Sequence, residues 1–223
     1  MQQHTLLKIY DLLFAKYGPQ HWWPADSPFE VCVGAILTQS AAWTNVEKAI
    51  ANLKRADALT PAALCDIGTD KLAGLLYSCG YYNAKTKKLK SFVGHLAQHH
   101  NNNLGKLFDQ AIDTLRHELL SIHGVGDETA DSIILYAANM PIFVIDAYTR
   151  RILSRLGFKE ASASHTDFQD LFTNTLPHDN QLFNEYHALL VNHGKNVCKK
   201  IPLCKNCCIE VLCKYQSGTK VKA

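Results

Sequence analysis

The segment that decides the fold runs from Leu119 to Gly157 and reads LLSIHGVGDETADSIILYAANMPIFVIDAYTRRILSRLG. Its pattern predicts a helix, a tight turn with the sequence HGVG at residues 123–126, and a second helix. Glycines at such a turn adopt backbone angles that are costly for other residues. They also let bare N–H groups approach an anion at the start of the following helix. An ordinary helical hairpin with a glycine turn is the simpler interpretation.

A lone carboxylate, Asp146, follows the apolar run IFVI at residues 142–145 and precedes a helix that carries arginines. One interpretation is a helix N-cap, a position that aspartate favours. The other is catalytic, because a carboxylate near a sugar carbon can stabilise a developing positive charge and orient or deprotonate water. Since the acid lies twenty residues after Gly126, the segment suggests a device that grips a DNA backbone and presents a carboxylate to a nucleotide.

Composition is ordinary for a globular protein, with 47% hydrophobic and 19% charged residues among 223. A chain of this length can bury a substantial core, in one large domain or two small ones. No apolar run reaches the length of a membrane span, and the N-terminus lacks the pattern of a signal peptide. We therefore expect a cytoplasmic protein without a membrane partner.

The net charge of +3 is unevenly distributed along the chain. Lys85, Lys87, Lys88 and Lys90 form one basic cluster, and from Val191 onward seven lysines accompany a single glutamate. Charge runs of this kind are usually solvated surface, but two of them beside an anion-binding turn favour a polyanionic partner.

Helical periodicity dominates the chain, and alternating strand patterns are scarce. The sequence therefore predicts an all-α protein. The predicted helices cover residues 3–16, 28–38, 42–56, 61–66, 70–78, 82–99, 104–122, 127–138, 147–156, 166–176 and 180–193.

Five ordered blocks of the chain resemble the helix-hairpin-helix/Gly-Pro-Asp superfamily of DNA glycosylases, of which endonuclease III is the familiar member. The blocks are WWP at 22–24, FEVCVGAILTQSAAWTNVEKAIANLK at 29–54, GYYNAKTKK at 80–88, the segment 119–157, and the cysteine-rich tail. The resemblance implies two helical domains with a DNA-binding cleft between them. Residues 25–140 would form a six-helix barrel domain with the hairpin. Residues 1–24 and 141–223 would form a discontinuous domain with the cysteine loop.

Five of the eight cysteines lie between Cys198 and Cys213. Cys198, Cys204, Cys207 and Cys213 are separated by five, two and five residues, which suits either zinc or an iron–sulfur cluster. Disulfides are rare in a cytoplasmic chain. The resemblance favours a structural [4Fe–4S] cluster, because the endonuclease III family has a similar loop, C-x6-C-x2-C-x5-C. The first interval here is one residue shorter, and no role is assigned to Cys208.

The resemblance makes Asp146 the catalytic residue and places Glu128 where some family members have a lysine. That lysine forms a Schiff base with the sugar and nicks the strand. A glutamate cannot form an imine, so we expect a monofunctional enzyme that uses water as the nucleophile. A monovalent cation held by the hairpin carbonyls is also expected. The residues expected to contact the DNA backbone are Gly124, Val125, Gly126 and Lys85.

Base excision also requires the damaged base to leave the stack. The resemblance makes Gln39 the filler of the resulting hole and Tyr81 the intercalating wedge. Electron-rich indoles attract a cationic alkylated purine, although tryptophans are also common core residues. The WWP block and the aromatic residue at position 43 are most similar to the 3-methyladenine branch, which is not known for the four-cysteine tail. The residues expected in the lesion pocket are Trp22, Trp23, Trp43 and Glu128.

The sequence thus predicts a monofunctional DNA glycosylase of base excision repair, monomeric, acting on double-stranded DNA that contains a damaged base. Alkylated purines such as 3-methyladenine are the leading substrate class. One alternative is an endonuclease III-like enzyme, with or without AP lyase activity, on oxidised pyrimidines or mismatched bases. Another is a non-catalytic protein that binds damaged DNA. Asp146 favours an enzyme, because a protein that only binds DNA does not need an acid there.

Overall fold

The computed structural model describes residues 2–215, and no strand occurs among them. The predicted all-α class is confirmed. A π-helical turn, Ile133–Ala137, directly continues α9, and short 3-10 turns lie at Tyr77–Cys79, Cys204–Asn206 and Glu210–Leu212. No helix in the described chain is long and apolar enough to cross a membrane. The α-helices are α1 (Gln2–Tyr17), α2 (Pro28–Leu37), α3 (Trp43–Arg55), α4 (Pro61–Asp66), α5 (Thr69–Leu75), α6 (Tyr82–His100), α7 (Leu104–Phe108), α8 (Ile112–Ser121), α9 (Asp127–Ser132), α10 (Ala147–Leu156), α11 (His165–Thr173) and α12 (Asn180–Asn196).

The chain divides into two compact units. The hairpin unit runs from Trp23 to Met140, and the discontinuous unit combines the segment up to Trp22 with the segment from Pro141. In the hairpin unit, α2 is the central helix, because every residue from Phe29 to Leu37 is buried. It packs against α3, α6, α9 and the π-helical turn. Apart from Glu30, whose carboxylate pairs with Lys54 Nζ over 2.8 Å, the helix is apolar on all sides, and such a helix is stable only in a buried position.

The discontinuous unit joins α1 to α10 and α12 around an aromatic core. The ring of Phe143 stacks on Phe172 with centroids 3.5 Å apart, and Tyr186 packs edge-on against both. The buried hydroxyl of Tyr186 donates to the Leu6 carbonyl over 2.8 Å, which ties α12 to α1. The run from Ile142 to Ile145 is buried as well. Asp146 directly follows this buried run at the start of α10.

One predicted helix is wrong. The sequence pattern predicted a single helix over residues 104–122, but the structure has α7 and α8, separated by residues 109–111. The side chain of Gln110 donates to the Leu107 carbonyl over 2.7 Å and to Glu118 Oε2 over 2.6 Å. A side-chain donor thus satisfies a carbonyl at the end of α7. The hydrogen bond from Gln110 allows the helix to end after α7, although the apolar periodicity of the sequence continues into α8.

Candidate active site

Asp146 is the N-cap of α10, and its Oδ1 accepts a hydrogen bond from the Thr149 N–H over 2.7 Å. The residue is 8% exposed. Its second carboxylate oxygen, Oδ2, lies 4.0 Å from His187 Nε2. The cap therefore fixes the carboxylate through one oxygen and leaves the other outside the cap. Capping and catalysis are thus compatible at this residue.

His187, on α12, is a site residue that the sequence interpretation missed. Its imidazole is buried, and burial lowers its pKa, while the Asp146 carboxylate acts in the opposite direction. The neutral form is therefore favoured, so His187 adds a polar neighbour to the acid without cancelling its charge. No signal close to Asp146 in the sequence could identify it, because it lies forty-one residues further along the chain.

The hairpin at residues 123–126 requires glycine at its first glycine position. Gly124 has φ +87°, and a Cβ there would lie 2.3 Å from Lys88 Cγ. Both the left-handed backbone and the close approach of the lysine exclude a larger residue. Val125 is buried and donates its N–H to the Ile122 carbonyl over 3.0 Å, whereas Gly126 is exposed at the start of α9.

Gln39, the predicted filler, is joined to the hairpin by hydrogen bonds. Its Nε2 donates to the Gly124 carbonyl and to Thr129 Oγ1, each over 2.9 Å. Its Oε1 accepts a hydrogen bond from Lys88 Nζ. Gln39 and the hairpin are therefore joined in one hydrogen-bond network, which also includes the ammonium group of Lys88. The sequence interpretation named Lys88 only as a member of a basic cluster.

The start of α9 is acidic, but two of its acids are paired with Arg116. The guanidinium donates to Asp131 Oδ1 over 2.7 Å and to Asp127 Oδ1 over 2.6 Å. Asp131 is fully buried, so this pair is inside the hairpin unit. Glu128 is exposed one residue after Asp127. Arg116 thus offsets negative charge that would otherwise repel phosphate near the hairpin.

Trp23 and Trp43 belong to one aromatic group, which also contains a tyrosine that the sequence interpretation missed. The Trp23 ring lies 5.4 Å from Trp43 in an edge-on arrangement and 5.4 Å from Tyr136. A Cβ at Gly34 would lie 3.1 Å from the Trp23 indole, so this glycine gives the ring its space. Tyr136 lies in the π-helical turn, a kind of irregularity that is frequent at functional sites. Trp22 is half-buried and belongs to the discontinuous unit.

Tyr81, the predicted wedge, is 76% exposed and has a left-handed backbone with φ 46°. It immediately precedes α6 and follows Gly80, whose φ is also positive. This pair of unusual conformations turns the chain sharply and leaves the phenol in solvent. Tyr77, 70% exposed, adds a second aromatic side chain nearby in the sequence.

Lys85 differs from the prediction. Its side chain is buried, and its Nζ donates to the Cys79 carbonyl over 2.8 Å. Burial lowers the pKa of this ammonium. The structure therefore corrects the expectation that Lys85 contacts the DNA backbone: its cation anchors the turn before α6 instead of facing outward.

The four cysteines of the predicted metal site line one cavity of about 300 Å³. Arg155 Nη1 donates to Cys198 Sγ over 3.2 Å, and His193 Nε2 lies 3.4 Å from Cys207 Sγ. Burial, with smaller effects from neighbouring thiols, raises the pKa of Cys207 to about 11. A cation in the cavity would favour the thiolate forms. Cys208 does not line this cavity; it lines another one, beside Lys16 and Tyr17.

Residues 33–178 match the family of HhH-GPD superfamily base excision DNA repair proteins. The chain belongs to the HhH-GPD superfamily. Its membership confirms the predicted class, a DNA repair glycosylase. The match contains the hairpin, Gln39 and Asp146, and it ends before the cysteine loop.

Individual relatives agree with this membership. The chain is 46% identical over 210 residues to MJ1434 of Methanocaldococcus jannaschii, whose name marks it provisionally as a DNA repair glycosylase; the alignment covers 93% of this chain and 95% of that protein. It is 27% identical to endonuclease III of Escherichia coli, with 88% of both chains covered.

Solved structures of the superfamily have the same fold. An endonuclease III trapped in a covalent intermediate with DNA is similar over 96% of both chains, with a TM-score of 0.82 and 21% identity. The H. pylori 3-methyladenine DNA glycosylase MagIII, bound to 1,N6-ethenoadenine, has a TM-score of 0.72 and 27% identity. That similarity covers 87% of this chain and 97% of MagIII.

Proposed function

We propose that the protein is a monofunctional DNA glycosylase that excises alkylated purines, such as 3-methyladenine, from double-stranded DNA. The observation that carries the proposal is the placement of Asp146. It is a nearly buried helix cap with one oxygen outside the cap, in a chain of a DNA repair superfamily. We further propose that the enzyme acts as a monomer.

In the proposed reaction, the bond between C1′ of the deoxyribose and the base nitrogen breaks, and the base leaves with the bonding electrons. The positive charge that develops on the sugar is stabilised by the Asp146 carboxylate. The oxygen of a water molecule then bonds to C1′, and the proton it loses passes to Asp146 or to solvent. The Thr149 N–H holds the carboxylate in one orientation throughout.

The monofunctional assignment is supported by Glu128, which is exposed at the position of the lyase lysine. A carboxylate cannot form an imine with C1′. The Lys88 side chain lies against Gly124 of the hairpin, and its Nζ donates to Gln39 Oε1. Because of this hydrogen bond, the Lys88 ammonium is held beside the hairpin and is not a free amine.

The substrate assignment is supported by the aromatic group of Trp23, Trp43 and Tyr136. Alkylation at a purine ring nitrogen gives the base a positive charge, which the electron-rich face of an indole attracts. The similarity to MagIII, whose structure holds 1,N6-ethenoadenine, supports a modified purine over an oxidised pyrimidine.

We also propose that Cys198, Cys204, Cys207 and Cys213 hold a [4Fe–4S] cluster. The donor set fits, because four thiols line one cavity and both Arg155 and His193 lie within hydrogen-bonding range of sulfur. A donor such as the Arg155 guanidinium stabilises anionic thiolates around a metal centre. When bound, the cluster would cross-link the loop. Arg155 then links the loop to α10, because its guanidinium also donates to the carbonyls of Lys199 and Lys200.

Purified enzyme should release 3-methyladenine from a duplex with that single lesion and leave abasic sites that break only after alkali. Borohydride should trap no covalent complex, because no amine occupies the lyase position. Matched duplexes with one oxidised pyrimidine or one mismatch serve as controls. Release from the pyrimidine duplex alone would contradict the substrate assignment. A trapped complex would contradict the monofunctional assignment, and Lys88→Gln would then test whether the amine beside the hairpin is the nucleophile.

Trp43→Ala should weaken excision of 3-methyladenine by about 1–3 kcal/mol, the usual contribution of one stacking face. Trp43→Phe keeps a ring against Trp23 and is the matched control, which should retain most of the activity. The measurement is kcat/KM for base release, with affinity for undamaged duplex as a reference that should not change. Equal losses of activity and of undamaged-DNA affinity would show that Trp43 acts only in the fold.

A further inference from the structure

Three side chains with metal-binding atoms meet in the hairpin unit, in a cluster unrelated to the cysteine loop. His95 and His100 lie at the C-terminal end of α6, and Glu118 lies near the end of α8. We call them the His–His–Glu cluster. Their ligand atoms all lie within 4.8 Å of one another. The side chains are 13–21% exposed, so the cluster is sheltered and still open to an ion from solvent.

Both imidazoles lie within hydrogen-bonding distance of the same carboxylate oxygen. His95 Nε2 lies 2.7 Å and His100 Nε2 2.5 Å from Glu118 Oε1. The other oxygen, Oε2, accepts a hydrogen bond from Gln110 over 2.6 Å. Without an ion, each imidazole must carry its proton on Nε2 to serve as a donor. A cation can replace both protons, because the three ligand atoms already converge on one point.

We propose that the His–His–Glu cluster binds a zinc ion that joins the end of α6 to α8. Two imidazoles and one carboxylate are a common three-residue donor set for zinc, which takes water as its fourth ligand. Magnesium and calcium prefer oxygen ligands throughout. Zinc–ligand distances of about 2.0–2.1 Å require the three atoms to separate slightly, a change that side-chain rotation alone can supply at partly exposed positions.

Two features of the surroundings support an organised site. Gln110 fixes the second oxygen of Glu118 and also bonds the Leu107 carbonyl, so the carboxylate is oriented as outer-shell partners orient metal ligands. The cluster also bridges the helix before the hairpin to the longest helix of its unit. A bound zinc would therefore stabilise α8, which leads directly into residues 123–126.

The test is calorimetric titration of the protein as isolated with zinc chloride, combined with thermal unfolding. We expect one zinc ion per chain and a higher melting temperature with zinc. His100→Ala and Glu118→Gln should abolish this binding, and Gln110→Ala should weaken it by about 10–100-fold. His117→Ala is the matched control, since His117 is an exposed histidine beside Glu118 and should bind zinc as the wild type does.

X-ray absorption at the zinc edge separates this site from the cysteines. The cluster predicts a shell of nitrogen and oxygen only, whereas zinc in the cysteine loop would show sulfur neighbours. Circular dichroism verifies that each variant is folded. Zinc bound equally by Glu118→Gln and wild type, a sulfur shell, or no uptake by the folded wild type would each overturn the proposal.

Discussion

We expect Asp146→Asn to lower the single-turnover rate of base release by about 10²-fold or more, the usual loss for a positioned general base. Asparagine is nearly isosteric and is as good an N-cap as aspartate. Its side-chain oxygen can still accept from the Thr149 N–H. The substitution therefore removes the charge opposite C1′ while α10 remains capped. Affinity for lesion DNA should stay equal or rise, because a negative charge near the DNA is lost.

Asp179→Asn is the matched control for this prediction. Asp179 is the N-cap of α12 in the same unit, and its carboxylate accepts from the N–H groups of Gln181 and Leu182. Both variants change one helix cap, but only Asp146 is assigned to chemistry, so Asp179→Asn should keep wild-type activity. Equal activity of Asp146→Asn and wild type would move the catalytic role elsewhere. A wild type that binds lesion DNA and releases no base would favour the non-catalytic alternative.

Features that are local in the sequence were the predictable ones. The apolar run before Asp146 and the cap preference of aspartate lie within a few residues of each other, and the glycines of the hairpin mark their turn directly. Both depend on short-range backbone chemistry. His187 and Tyr136 could not be found in this way. His187 lies near Asp146 because two helices that are far apart in the sequence, α10 and α12, pack together. Tyr136 lies in a π-helical turn, which the periodicity of the side chains does not predict.

Lys85 is a different case, because the sequence does contain a signal that its side chain is buried. The high density of lysines around it favours the opposite interpretation. Lys85, Leu89, Phe92 and Leu96 are all buried on one face of α6, at the spacing of three and four residues that marks a core-facing stripe. The charged neighbours Lys87 and Lys88 favour an exposed basic cluster, whereas the stripe predicts a buried position for Lys85. A buried ammonium that bonds the Cys79 carbonyl is consistent with the periodicity of the helix, which here was a better guide than the local density of lysines.

The second large effect concerns the cysteine loop. The wild type should be yellow-brown with stoichiometric iron and sulfide, and Cys207→Ser should lose the colour together with most of its soluble, folded protein. Cys207 lines the shared cavity and lies 3.4 Å from His193 Nε2. Without its thiolate the remaining cysteines cannot complete the four-sulfur ligand set of the cluster. The loop then loses its cross-link and is joined to α10 only by weaker contacts, which include the hydrogen bonds of Arg151 and Arg155.

Cys208→Ser is the matched control, because it removes the neighbouring thiol, which lies outside that cavity. It should keep the colour, the iron content and the melting temperature of the wild type. The measurements are visible absorbance, iron and zinc analysis, and thermal unfolding of each variant. If Cys208→Ser lost iron as Cys207→Ser does, the assignment of the four ligands would be wrong. A colourless, folded wild type with one zinc bound by sulfur would replace the cluster with a zinc site, which the intervals of five, two and five residues also permit.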